Sequence, residues 1–232
     1  MDFYKEKLLP MINATCAAIE ATPHMNDILR GTMPMDRFRF QITHNYLYLM
    51  EYARCWAVGV TKSQSFYEML EWYKVLSSTF EKTVMMNRDF WAAKVGLTTD
   101  EMDSAVMAEG KRSYTSFQLA RCFEGDLANA IMAVFPCNVL YWHMGVHLLP
   151  QCTLPEDNMF YQWIAFYISP EYVEKCENEI RMVNNLCGGK MPEEQRRLMD
   201  VFAAACNYEV LQWRDMYYNM ETWPLPELFG RE

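Results

Sequence analysis

The chain has 232 residues, of which 51% are hydrophobic and 15% aromatic. That supply of apolar side chains suits one well-buried domain spanning residues 1–232 and excludes a disordered chain. The formal net charge of −9 excludes a phosphate-binding surface as the main function, because nucleic-acid binders carry a basic footprint.

The opening Met1-Asp2-Phe3-Tyr4-Lys5 does not read as a signal peptide. Eight cysteines, at 16, 55, 122, 137, 152, 176, 187 and 206, show no CxxC spacing. Reduced thiols and a cytoplasmic location are therefore expected. Glycine is scarce and strand-like alternation is missing, so helix is predicted almost throughout. Gly31-Thr32-Met33-Pro34 ends one helix and begins another, with Pro34 in the first turn. Phe38, Ile42, Leu49 and Tyr52 mark the apolar stripe of that second helix. Thr98-Thr99-Asp100-Glu101 fits a capping box. Ser169-Pro170-Glu171 reads as an N-cap followed by a helix-starting proline. Gly188-Gly189 closes that helix, and Pro192-Glu193-Glu194 opens the last long one. Pro150, Pro155, Pro224 and Pro226 mark loops. The expected fold is all-α, a single-domain bundle of about eight or more helices.

No Asp, Glu, Lys or Arg occurs between Asp126 and Glu156. The stretch 127–149 is long enough to span a bilayer. It holds Asn129, Pro136, Asn138, His143 and His147, however, and its flanks lack a Lys/Arg bias. A central helix buried on all sides explains it better. Pro136 is either inside this helix, bending it just before Cys137, or a helix boundary. Cys137 and Tyr141, four residues apart, carry a thiol and a phenol into the most apolar part of the chain. Each needs a partner or a task there. Glu209 sits in the aromatic, mostly apolar run Cys206-Asn207-Tyr208-Glu209-Val210-Leu211. Such a carboxyl is either a general acid/base with a raised pKa or half of a buried structural pair. His143 and His147 have i, i+4 spacing but no following Glu and no third ligand, so core or rim residues are expected rather than a metal site. GxGxxG, P-loop and GxSxG motifs are absent. The dense tyrosines and tryptophans read as core, or as stacking surfaces for a flat heteroaromatic ligand.

Six segments in order resemble the TenA family, known as thiaminase II or aminopyrimidine aminohydrolase. They are Pro23-His24-Met25 through Gly31-Thr32-Met33-Pro34-Met35-Asp36-Arg37-Phe38, His44-Asn45-Tyr46-Leu47-Tyr48-Leu49, Ser113-Tyr114-Thr115-Ser116, Phe135-Pro136-Cys137 to Tyr141, Tyr161-Gln162-Trp163-Ile164-Ala165-Phe166-Tyr167, and Tyr208-Glu209 with Trp213. The resemblance implies a haem-oxygenase-like helical fold, commonly assembled as a homotetramer. It implies hydrolysis of a thiamin-derived aminopyrimidine, 4-amino-5-aminomethyl-2-methylpyrimidine, to the hydroxymethyl product, with thiamin cleavage as a side activity. No metal or organic cofactor is implied. Cys137 would be the nucleophile, and the most reactive of the eight thiols; Glu209 would be the acid/base. Tyr114 and Tyr167 would hydrogen-bond around the thiol, and Tyr48 and Tyr141 would shape the ring pocket.

Two positions depart from that pattern. The family's substrate-binding Asp stands here as Asn45, and a usual histidine as Asn87. Asn45 offers an acceptor and a donor together, matching a 4-amino group beside a ring nitrogen. The expected partner is a small aminopyrimidine, with no nucleic acid and no membrane. The alternatives are a non-catalytic pyrimidine binder on the same scaffold, or a haem or di-iron enzyme, for which four histidines supply no paired ligand set.

Overall fold

The computed structural model describes residues 2–218 and 223–229, and within them the chain is all-α. A π turn, Tyr4–Leu8, leads into α1 (Leu9–Glu20), followed by α2 (Pro23–Arg30) and α3 (Met35–Lys62). Helix α4 (Phe66–Ser78) runs through two π stretches, Thr79–Val84 and Met86–Trp91, into α5 (Ala92–Val95). Then come α6 (Thr99–Ser104), α7 (Glu109–Glu124), α8 (Leu127–Leu148), α9 (Met159–Phe166), α10 (Pro170–Cys187) and α11 (Pro192–Tyr218).

The punctuation follows local chemistry. Gly31 closes α2 at φ 68°, a left-handed conformation that glycine adopts without strain. Pro34 lies just outside α3 rather than in its first turn. Its extended ψ of 133° sets it in the N-cap place, where its carbonyl accepts from Phe38 N. Thr98 and Glu101 form the reciprocal capping box. Ser169 caps α10, Pro170 starts it, and Gly188 follows its last residue. Pro226 opens a short 3₁₀ turn, Pro226–Phe229, and Pro150 sits inside another, Leu149–Gln151, because single 3₁₀ turns tolerate the missing N–H.

Helix α8 runs through the middle of the bundle, against α1, α7, α10 and α11. Its apolar residues face inward all round, as the absence of charge requires. Asp126 caps its start by accepting from Asn129 N. Pro136 lies inside the helix, so it offers no N–H to the carbonyl of Met132. The neighbouring carbonyls of Ala133 and Val134 accept from Gln118 Nε2 and the Tyr52 hydroxyl. One connected apolar core reaches from Phe3 to Met216. Gly145 lets the residues just past α9 approach closely; a Cβ there would lie 2.9 Å from Ile168 and 3.2 Å from Tyr167. Among the described residues, no helix is long and apolar enough to cross a membrane.

Candidate active site

Helix α8 carries Cys137 and helix α11 carries Glu209, both buried, with the carboxylate close enough to act electrostatically on the thiol. Burial pushes the Cys137 thiol well up, and the carboxylate of Glu209 adds to the rise. The Tyr48 hydroxyl beside the sulfur, Lys175 and Lys111 pull the other way. The thiol is therefore neutral at rest. Cys152 is the one cysteine that is not buried. Burial pushes Glu209 up to about 7, against the opposing influence of Lys111, Tyr114 and Gln212. Oε2 of Glu209 accepts from Gln212 Nε2. Oε1 and the Tyr114 hydroxyl each lack a hydrogen-bond partner of standard geometry, although the phenol lies near enough to lower the carboxyl's pKa.

Four tyrosines enclose this pair. Tyr48 stacks on Tyr114 with ring centroids 5.6 Å apart, and its hydroxyl accepts from Gln118 Nε2 at 3.1 Å. Tyr141 meets Tyr167 at 4.7 Å and Trp213 at 5.7 Å, while Trp163 lies 5.0 Å from Tyr167. The Tyr48 hydroxyl pulls the Cys137 thiol down and the Tyr114 hydroxyl does the same for Glu209, while Tyr114 and Tyr167 both lie within electrostatic reach of the thiol.

Asn45 is half-buried one turn before Tyr48 on α3, on the same helix face. Its Nδ2 donates to Asn87 Oδ1 at 3.0 Å, and Asn87 Nδ2 donates to the Thr83 carbonyl at 2.9 Å. Asn87 lies in the π stretch Met86–Trp91, a helix variant often found at functional sites. The two positions that depart from the family pattern are thus hydrogen-bond partners. The Thr83 contact fixes the Asn87 amide, which fixes that of Asn45. Beyond its bond to Asn87, the Asn45 amide has one acceptor and one further N–H.

Three further polar groups escaped the sequence reading. Lys111 falls on the buried face of α7, at helical spacing from Tyr114, Gln118 and Cys122, and Gln212 lies one turn past Glu209. The third is Glu179 on α10, which accepts from Asn138 Nδ2 at 2.6 Å; burial pushes it to about 7 despite Lys175. Asn138 Nδ2 also donates to the Tyr52 hydroxyl, and its Oδ1 accepts from Tyr172 and Lys175. The periodicity of α7 could have revealed Lys111; nothing local marks Glu179. His143 bonds Tyr4 and His147 bonds Glu20. Among the described residues, no group of three or more His, Cys, Asp and Glu could hold a metal ion.

A buried thiol and carboxyl in a tyrosine cage, at the centre of an all-helical bundle, define the class to which the chain compares. A structure from Shewanella denitrificans, described as a domain of unknown function with a heme oxygenase-like fold, superposes with a TM-score of 0.73 at 13% identity, covering 91% of this chain and 90% of that one. A TenA family transcription regulator from Silicibacter sp. TM1040 superposes with a TM-score of 0.82 at 21% identity, covering 94% of this chain and all of that one. The fold is haem-oxygenase-like. The sequence profile of the TENA/THI-4/PQQC family matches residues 17–220, and the chain belongs to that family. It is similar to the aminopyrimidine aminohydrolase of Halalkalibacterium halodurans, 30% identical over 87% of this chain and 89% of the relative. The aminopyrimidine aminohydrolase of Helicobacter pylori is 29% identical over 84% and 89%.

Proposed function

We propose that the chain hydrolyses a thiamin-derived aminopyrimidine in thiamin salvage, without metal or organic cofactor, as one domain with Cys137 as nucleophile and Glu209 as acid/base. The observation that carries this is the enclosed Cys137–Glu209 pair, with a carboxyl whose proton affinity is set near neutrality. Names of relatives, each an aminopyrimidine aminohydrolase, support the substrate class.

Ring addition explains why a neutral thiol serves. Sγ bonds to an electrophilic ring carbon while its proton passes to Glu209. The displaced electron pair settles on a ring nitrogen, which takes that proton back from Glu209. The ring N–H returns its proton to Glu209 as the pair expels ammonia from the protonated aminomethyl group. Water adds to the exocyclic methylene and its proton leaves with the ammonia as ammonium; the sulfur then departs with the S–C bonding pair, retakes its proton from Glu209, and the aromatic ring is restored. Tyr48 steadies the sulfur, Tyr114 and Tyr167 line the path of the proton, and Tyr141 stacks on the ring. Incubation with 4-amino-5-aminomethyl-2-methylpyrimidine should release ammonia and the hydroxymethyl pyrimidine. Binding without release would favour the non-catalytic binder, the reading that the missing carboxylate at Asn45 supports.

Asn45 is assigned to the pyrimidine edge, as an uncharged two-point contact. Asn45→Ala should lose about 1–3 kcal/mol of binding, the range for a lost buried polar partner. Titration calorimetry showing unchanged affinity would remove Asn45 from the site. Asn45→Asp alone turns an acceptor toward Asn87 Oδ1. A gain in kcat is therefore expected only when Asn87→His is added, and the double-mutant cycle measures that coupling.

The assembly is inferred to be a homotetramer in the cytoplasm. Helix α4 exposes Phe66 at 72%, Tyr67 at 77% and Tyr73 at 53%, apolar surface that a second copy would cover. Light scattering at micromolar concentration should give four times the chain mass; a monomer mass alone would defeat the assignment.

A further inference from the structure

Lys111 and Gln212 take no part in the chemistry just described, yet they complete the surroundings of Glu209. Lys111 comes from the first turns of α7 and is only 4% exposed. Its ammonium donates to Gln212 Oε1 and lies 5.0 Å from the centre of the Tyr48 ring. Gln212 Nε2 in turn donates to Glu209 Oε2. The amide stands between cation and carboxylate and couples them.

The two ends dictate how that amide is turned. An ammonium has three donors and no acceptor, so it can donate only to the oxygen of Gln212. The NH2 group must then face Glu209. A donor aimed at a carboxyl favours its ionised form over the acid. Without Lys111 the amide is free to turn over and present its oxygen to Glu209, an arrangement that suits a protonated carboxyl. Burying an ammonium is costly, and a structural need alone would be met by an apolar side chain.

We propose that Lys111 is a positioning residue that acts through Gln212, locking the amide so that Glu209 stands ionised and ready to receive a proton. The inference rests on reading Glu209 as the acid/base. The titratable groups facing Glu209 are Cys16 from α1, Tyr48 from α3, Tyr114 and Lys111 from α7, Cys137 and Tyr141 from α8, Tyr167 beyond α9 and Cys206 on α11. Burial raises every phenol and thiol in that set, so all are neutral at neutral pH. Lys111, lowered by burial to about 8 and supported by Glu209, is the charged member.

Carbon-13 NMR of protein labelled at the glutamate carboxyl tests this directly, with the Glu209 signal assigned by its loss in Glu209→Gln. In the wild type its titration midpoint should fall near 7. In Lys111→Met it should rise by about one pH unit or more, because both the cation and the fixed donor are lost. Lys111→Arg, which keeps charge and donors, should stay within about half a unit of the wild type. An unmoved midpoint in Lys111→Met overturns the proposal. Lys111→Leu, which likewise has neither charge nor donor, is the second variant should the methionine protein not fold, and it should show the same rise. This readout needs no turnover. A wild type that fails to hydrolyse aminopyrimidine sinks the functional reading while the titration still decides the role of Lys111. Where turnover occurs, the acidic limb of kcat/KM should move up with the midpoint; an even fall at every pH would mark a structural role and overturn the proposal.

Discussion

Cys137→Ser should leave binding of the aminopyrimidine nearly unchanged and lower kcat by roughly 10³-fold or more, about 4 kcal/mol of transition-state stabilisation. The thiol is held neutral by burial and by Glu209, so addition to the ring depends on handing its proton away as the S–C bond forms. A serine hydroxyl gives up its proton far less readily and is the poorer nucleophile. The change in size is small, and the cage of Tyr48, Tyr114, Tyr141 and Tyr167 does not depend on the sulfur for its packing. Affinity should therefore survive while chemistry fails. Steady-state kinetics and calorimetry on the same protein check both halves. Turnover within a few-fold of the wild type would remove Cys137 from the mechanism. Labelling is a poor substitute for kinetics, because Cys152 is the more accessible thiol.

How far the sequence reveals this site depends on the scale of each signal. Helix punctuation is local, so the Thr98–Glu101 box, the Ser169 cap and the start at Pro192 could be read from a few residues. Central burial of α8 followed from its lack of charge. Cys137 and Glu209 lie far apart in the chain, and only the ordered family segments suggested that they meet. That the Tyr48 hydroxyl acts on the thiol and the Tyr114 hydroxyl on Glu209 was not legible, because it depends on how α3 and α7 are rotated against α8 and α11. Nor was the pairing of Asn45 with Asn87, which requires the π stretch Met86–Trp91 to present Asn87 toward α3. Lys111 was missed for another reason. A lysine preceding Ser113-Tyr114 reads as solvated unless the periodicity of α7 is traced through it, and its charge argues against the burial that the structure shows.

Glu209→Gln should lower kcat by about 10²- to 10³-fold with little change in affinity, the range for losing a general acid/base. Glutamine keeps the shape of the side chain but can neither take the thiol proton nor return one. In the wild type, protonation of Glu209 removes the acceptor, so kcat/KM should fall as the pH drops below about 7. The glutamine variant should lose that acidic limb. Its stability should change in the opposite sense to its activity. The folded-state pKa of Glu209 is raised from 4.5 to about 7 by burial. Relative to the unfolded chain, the folded protein therefore holds the proton more tightly, and stability present below about pH 4.5 is lost as the pH rises through 7. Above that pH the wild type bears the cost of a buried charge with one oxygen unpartnered. Glu209→Gln escapes it and should be more stable at pH 8 by about 1–3 kcal/mol, with the difference vanishing below about pH 4.5. Chemical denaturation at the two pH values measures this. A variant that is slower and no more stable at pH 8 would mean that Glu209 is compensated in the fold, and its raised proton affinity would then no longer support an acid/base role. A variant that is less stable at both pH values would make it a structural partner, the second of the two readings its sequence neighbourhood allowed.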